Sequence, residues 1–65
     1  MTDRSLDAVR EAFARLTGMI EDAAEIASVG QGVDSVEDAR RQFDLLSTAL
    51  DRIGRRHREL ERRLG

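Results

Sequence analysis

The chain turns at residues 29–35, which read Val29-Gly30-Gln31-Gly32-Val33-Asp34-Ser35. The first of the two glycines suits the left-handed backbone that commonly ends a helix. Asp34, with Glu37 three residues later, is typical of an N-terminal capping box in which Asp replaces Ser or Thr. The segment therefore predicts one helical-hairpin domain over 1–65, with helices at about 3–29 and 35–64 and a loop at 30–34.

Apolar residues recur on both sides of this turn in steps that alternate between three and four. The first series is Leu6, Val9, Phe13, Leu16, Ile20, Ala23 and Ala27; the second is Val36, Ala39, Phe43, Leu46, Leu50, Ile53, His57, Leu60 and Leu64. This 3.5-residue spacing places the side chains on one side of a helix and is typical of helices packed side by side. The sequence contains no proline, and so short a loop makes the helices antiparallel neighbours. The predicted fold class is all-α, an antiparallel two-helix hairpin.

The apolar stripe of the first helix is wider than one neighbouring helix can cover, because Ala12, Met19 and Ile26 run beside the main series. A chain of 65 residues is marginally stable alone, and it has no cysteine for a disulfide. Full burial of each large apolar side chain contributes about 1.5–3 kcal/mol. We therefore expect a homodimer that forms a four-helix bundle. Its predicted core is Leu6, Val9, Phe13, Leu16, Met19, Ile20, Ile26, Val36, Phe43, Leu46, Leu50, Ile53, Leu60 and Leu64.

The same pattern predicts which residues lie opposite each other within one hairpin. If the chain folds about Gln31, residues whose numbers add to about 63 face each other. Ile20 then meets Phe43, and Phe13 meets Leu50.

His57 is the only histidine, and it lies within the apolar series. It could bind a metal with Glu61 or act as an acid–base group. The Glu-x-x-His pattern of di-iron bundles is missing, because Gly54 stands three residues before it. The ordinary interpretation is a histidine hydrogen-bonded to a neighbouring helix near the open end. We predict no catalytic, cofactor-binding or metal-binding residues and no enzyme activity.

The C-terminal segment carries an excess of positive charge: the net charge of residues 52–65 is +4, and that of residues 1–51 is −6. Such asymmetry suggests an anionic partner, either a nucleic acid or an acidic protein surface. Helix-dipole compensation and ion pairs of Arg55 with Asp51 and Glu59 offer a simpler explanation. The segment also lacks aromatic residues that could stack on bases. The candidate patch is Arg52, Arg55, Arg56, Arg58, Arg62 and Arg63.

The predicted architecture is similar to that of the small Rop-type RNA-binding regulators in length, in its two helices and in its short loop. That likeness is one of shape and carries no residue motif, so it does not imply a function. Residues 36–39 followed by Phe43-Asp44 resemble the helical-hairpin small subunit of bacterial exonuclease VII. The Gly-rich loop and the lack of Gly after Phe43-Asp44 depart from that pattern.

The leading hypothesis for function is a non-catalytic, homo-oligomeric helical bundle that acts as a protein–protein interaction or adaptor module. One alternative is a small nucleic-acid-binding regulator that uses the Arg-rich end. The other is an accessory subunit of a larger enzyme. No apolar run approaches the ~18 residues of a membrane span, and Met1-Thr2-Asp3-Arg4 does not resemble a signal peptide. We therefore expect a cytoplasmic protein without a membrane partner.

Overall fold

The structure, a computed structural model, describes the backbone from Thr2 to Gly65 and the side chains from Leu6 onward. It consists of helix α1 (Thr2–Gly30) and helix α2 (Val36–Leu64), which pack against each other along their length. The hairpin measures 54 × 16 × 9 Å. The predicted all-α hairpin is confirmed. Neither of these two helices has a stretch long and apolar enough to cross a lipid bilayer.

Helix α1 ends by tightening its last turn rather than by adopting a left-handed cap. The N–H of Gln31 donates to the carbonyl of Ser28 at 3.1 Å, and that of Gly32 donates to Val29 at 3.0 Å. These bonds between residues three apart use carbonyls that the end of a helix leaves free. The predicted left-handed conformation at Gly30 is therefore wrong: in the described backbone, only Gly65 has a positive φ.

Helix α2 is capped by Ser35, which has an extended backbone with φ −145° and ψ 159°. Its hydroxyl oxygen accepts a hydrogen bond from the backbone N–H of Asp38 at 3.1 Å. The predicted cap at Asp34 is wrong by one residue, because Ser35 directly precedes the first helical turn and reaches its third residue. At the other end, Gly65 in the left-handed region donates its N–H to the carbonyl of Glu61.

The two helices meet along a narrow, mainly apolar seam that contains both small and large side chains. Its residues are buried or half-buried: Ala12, Leu16, Met19, Ala23 and Ile26 on α1, with Gln42, Leu46, Ala49, Ile53 and Leu60 on α2. Among the described side chains, only Leu16, Ala23 and Leu60 are fully buried. The hairpin therefore has a thin core, and it uses only one side of the wide apolar stripe of α1.

The register of the hairpin differs from the predicted one. Gln42 of α2 lies level with Ile26, because its side-chain amide donates to the Ile26 carbonyl at 3.0 Å. The predicted pairing would place position 42 opposite position 21. About three residues of this difference of five arise because α1 continues to Gly30 and α2 begins only at Val36, which moves the centre of the turn from residue 31 to about residue 33. The predicted Ile20–Phe43 pairing is therefore wrong, and both side chains are exposed.

Candidate interaction surfaces

Much of the predicted oligomer core remains exposed in the single hairpin. We call this surface the apolar face, and its members are between 47% and 86% exposed: Leu6, Phe13, Ile20, Val36, Phe43, Leu50 and Leu64. Val9 is half-buried between this face and the seam. The other predicted core residues lie in the seam inside the hairpin: Leu16, Met19, Ile26, Leu46, Ile53 and Leu60.

Helical geometry places the exposed residues of both helices on the same side of the hairpin. Side chains seven residues apart lie almost above one another on an α-helix, so Phe13 and Ile20 form one line and Phe43 and Leu50 another. On each helix the line lies four positions after seam residues, as Leu50 comes four residues after Leu46. Four residues are slightly more than one helical turn, so each line is rotated in the same sense away from the seam. Because the helices are antiparallel, this equal rotation turns both lines toward the same side. The result is a continuous apolar surface along the hairpin.

The total accessible surface is large for a chain of this size. It amounts to 5424 Å², whereas folded monomers of 7.3 kDa expose about 4,200 Å² by the usual scaling. The radius of gyration of 15.4 Å also exceeds the roughly 11 Å typical of a compact 65-residue domain. The excess area, about 1,200 Å², exceeds the roughly 800 Å² that each partner buries in a standard protein interface.

Two polar residues belong to the surroundings of the apolar face. The guanidinium of Arg40 lies 6.0 Å from the centre of the Phe43 ring, at the outer limit of a cation–π contact. His57 occupies the same heptad line as Phe43 and Leu50 and is exposed. Within the described residues, no cluster of His, Cys, Asp or Glu could hold a metal ion.

The opposite side of the hairpin carries a groove lined mainly by arginine. We call it the arginine groove; it is lined by Arg15 and Met19 of α1 with Arg52, Arg55, Arg56 and Glu59 of α2. Arg15 and Arg52 each directly precede a seam residue, and this rotation turns them away from the apolar face. The groove therefore combines guanidinium groups from both helices.

Two of these arginines are balanced by neighbouring carboxylates. Arg15 pairs with Glu11 at 3.5 Å, and Arg56 pairs with Glu59 at 3.5 Å. Within the described residues, the predicted pairs of Arg55 with Asp51 and Glu59 do not form, and Glu59 pairs instead with Arg56, three residues earlier. Within the described part of the chain, Arg52 and Arg55 have no carboxylate within 4.0 Å. The groove thus retains two guanidinium groups that could bind an anion.

The structure divides the arginine patch predicted from the sequence. Arg52, Arg55 and Arg56 line the arginine groove, and Arg63 lines its extension toward the open end of the hairpin. Arg58 and Arg62 are exposed but line neither. Arg15 was missed, because only the register of the two helices places it beside Arg52.

Toward the loop, the arginine groove continues into an apolar section. This section is lined by Met19, Asp22, Ile26, Leu45, Thr48, Ala49 and Arg52. Met19 and Arg52 belong to both sections, so the two are continuous. A ligand with an apolar part and an acidic part would fit this arrangement.

A scan against protein-family models and searches of curated proteins and of solved structures return no match for this chain.

Proposed function

We propose that this chain is a non-catalytic adaptor module that self-associates through the apolar face, as a homodimeric four-helix bundle, and binds another protein through the opposite side. The observation that carries the proposal is the line of large apolar side chains, including Phe13 and Leu50, left exposed at heptad spacing. Exposed apolar surfaces larger than a few hundred Å² mark interaction sites in soluble proteins.

A second copy of the chain is the occupant best suited to this face. Heptad lines on two antiparallel helices match the geometry by which helices of a bundle interdigitate. Of the side chains from residue 6 onward, the seam fully buries only Leu16, Ala23 and Leu60, so the hairpin needs further apolar burial to become stable. Pairing two identical faces would supply it: a standard interface buries roughly 800 Å² of each partner, and the hairpin exposes about 1,200 Å² more than a compact monomer of its mass.

Sedimentation equilibrium across a concentration series, with helix content followed by circular dichroism, tests the proposal. A helical dimer that persists to low micromolar concentration is the expected result. A helical or unfolded monomer at these concentrations would overturn it. The apolar face would then belong to a different protein, and the accessory-subunit hypothesis would take the place of self-association.

For the outward side, we propose an acidic amphipathic helix as the ligand. Its apolar residues would occupy the section around Ile26 and Leu45, and its carboxylates would meet Arg52 and Arg55. Recognition of this kind combines burial of apolar anchors with charge-assisted hydrogen bonds. Fluorescence anisotropy with a labelled amphipathic peptide can test it. Binding should require both the apolar and the acidic residues of the peptide; equal binding of a glutamine-substituted peptide would contradict the proposal.

A second candidate is a nucleic-acid-binding regulator, which is favoured by the position of Arg15 beside the C-terminal arginines. Phosphate contacts by several arginines would make binding strongly dependent on salt. Gel-shift titrations with single-stranded and double-stranded RNA and DNA, at rising salt concentration, separate the two candidates. Lack of retention even at low salt would eliminate this one.

A further inference from the structure

The hairpin is electrically polarised along its length. Its loop half, residues 17–51, contains eight acidic residues and two arginines and has a net charge of −6. Its open half carries +4, because residues 1–16 are neutral and residues 52–65 contribute six arginines and two glutamates. The boundary falls midway along both helices, since position 16 lies level with position 52 when Gln42 lies level with Ile26.

The apolar face spans both halves and is centred on this boundary. On α2, its heptad line runs from Val36 through Phe43, Leu50 and His57 to Leu64, and Leu50 is its midpoint. On α1, the midpoint of the line from Leu6 to Ala27 lies between Phe13 and Ile20. Both midpoints lie within two residues of the charge boundary. A second hairpin can therefore cover the whole face in either of two directions.

The two directions differ in their electrostatics. With both loops at the same end, each half would lie beside an identical half of like charge. With the loops at opposite ends, each −6 half lies beside a +4 half. Charges about 10 Å apart are only partly screened at physiological salt, where the Debye length is about 8 Å. Charge complementarity of this kind selects one packing mode over another that buries the same apolar area.

We infer that two copies of this chain pack antiparallel through their apolar faces, with the loops at opposite ends of the bundle. The inference rests on the self-association proposed above. In this arrangement α2 faces α2 of the second copy, and Leu50 lies near the two-fold axis. Phe43 then lies level with His57 of the second copy. The two arginine grooves face outward on opposite sides and toward opposite ends, so one dimer could hold two separate ligands.

Distance measurement between spin labels tests the direction directly. The sequence has no cysteine, so a single introduced cysteine carries the only label on each copy. Gly32→Cys places the label in the loop, where an added Cβ would approach no atom closer than 3.8 Å. We expect a separation close to the 54 Å length of the hairpin. Packing with both loops at one end would give roughly 10–20 Å, because neighbouring helix axes lie roughly 8–10 Å apart.

A second label, at Ala14→Cys, provides the matched control. Ala14 is exposed and lies near the middle of α1, so its label should show a short distance in both directions of packing. A short Ala14 distance with a long Gly32 distance supports the inference. Short distances at both positions overturn the antiparallel arrangement but leave self-association intact. No dipolar coupling from either label, with a monomer mass in the same samples, would overturn both proposals.

Discussion

Gln42 of α2 donates its side-chain amide to the backbone carbonyl of Ile26 at 3.0 Å, which makes a polar bond across an otherwise apolar seam. It is the one side-chain hydrogen bond between the two helices within the described residues. An added Cβ on Gly30 would lie 3.5 Å from Cγ of Gln42, so the helices approach closely at this level. Together, these contacts hold the register near the loop.

Replacing Gln42 with Ala should lower the free energy of unfolding by about 1 kcal/mol, the usual net contribution of one such hydrogen bond. Urea denaturation followed by circular dichroism measures the change. All samples need the same chain concentration, because self-association makes stability concentration-dependent. Gln31→Ala, at an exposed loop position, is the control and should change little. Equal losses in the two variants would contradict a specific role for Gln42.

The position of the N-cap can be tested by substituting two adjacent residues. Ser35→Ala removes the hydroxyl that accepts from the Asp38 N–H, and loss of such a cap costs about 1 kcal/mol. Asp34→Ala should cost much less, because Asp34 lies outside the helix and the capping bond is made by Ser35. Thermal and urea unfolding of the two variants provide the comparison. A larger loss for Asp34→Ala would favour the cap predicted from the sequence.

Two glycines inside the helices should respond differently to alanine. An added Cβ at Gly18 would meet no atom within 4 Å, so Gly18→Ala should raise the free energy of unfolding by about 1 kcal/mol through helix propensity alone. Gly54 is half-buried, and helical geometry places it beside the apolar face. In a dimer, its missing side chain would lie near the second copy, so Gly54→Ala should stabilise less than Gly18→Ala. The same denaturation assay measures both; a larger gain at Gly54 would count against that contact.

The two-helix fold could be predicted because apolar residues that recur in alternating steps of three and four share one side of an α-helix but not one side of a β-strand. The register could not, because the same pattern is satisfied by several relative shifts of two helices. Two local features set it instead: the tightened turn after Gly30 and the cap at Ser35. Neither depends on the apolar residues from which the pairing was predicted.

The arginine groove could not be predicted for the same reason, because its residues come together only in the observed register. The predicted register would place Glu11 level with Arg52, which suggests an ordinary ion pair. The observed register places position 16 level with Arg52 and brings Arg15 to the groove. The predicted pairing also turned the wrong side of the wide stripe on α1 inward, because it placed Phe13 and Ile20 against α2, whereas both are exposed. The structure turns the side containing the small residues Ala12 and Ala23 toward α2, where Ala23 is buried and Ala12 is half-buried.

Binding of polyanions should depend on where arginines lie rather than on how many the chain has. The double variant Arg52→Gln, Arg55→Gln removes two guanidinium groups of the groove that have no carboxylate partner among the described residues, and the double variant Arg58→Gln, Arg62→Gln removes two that lie outside the groove. Both double variants carry the same net charge. We expect the groove variant to elute from a heparin column at lower salt, because converging guanidinium groups can contact one ligand together. Identical elution would show that the groove does not concentrate the charge.

Self-association should depend on Leu50 and not on Leu45. The two side chains are equally exposed in the single hairpin, at 54% and 55%, but only Leu50 belongs to the apolar face. Because Leu50 is about half exposed in the hairpin, its burial in both copies together would contribute about 1.5–3 kcal/mol, so Leu50→Gln should weaken the dimer roughly tenfold or more. Leu45 lies toward the opposite side, so Leu45→Gln should leave the dimer intact. Sedimentation equilibrium of the two variants decides: if Leu45→Gln dissociates the dimer and Leu50→Gln does not, the copies meet through the other side of the hairpin.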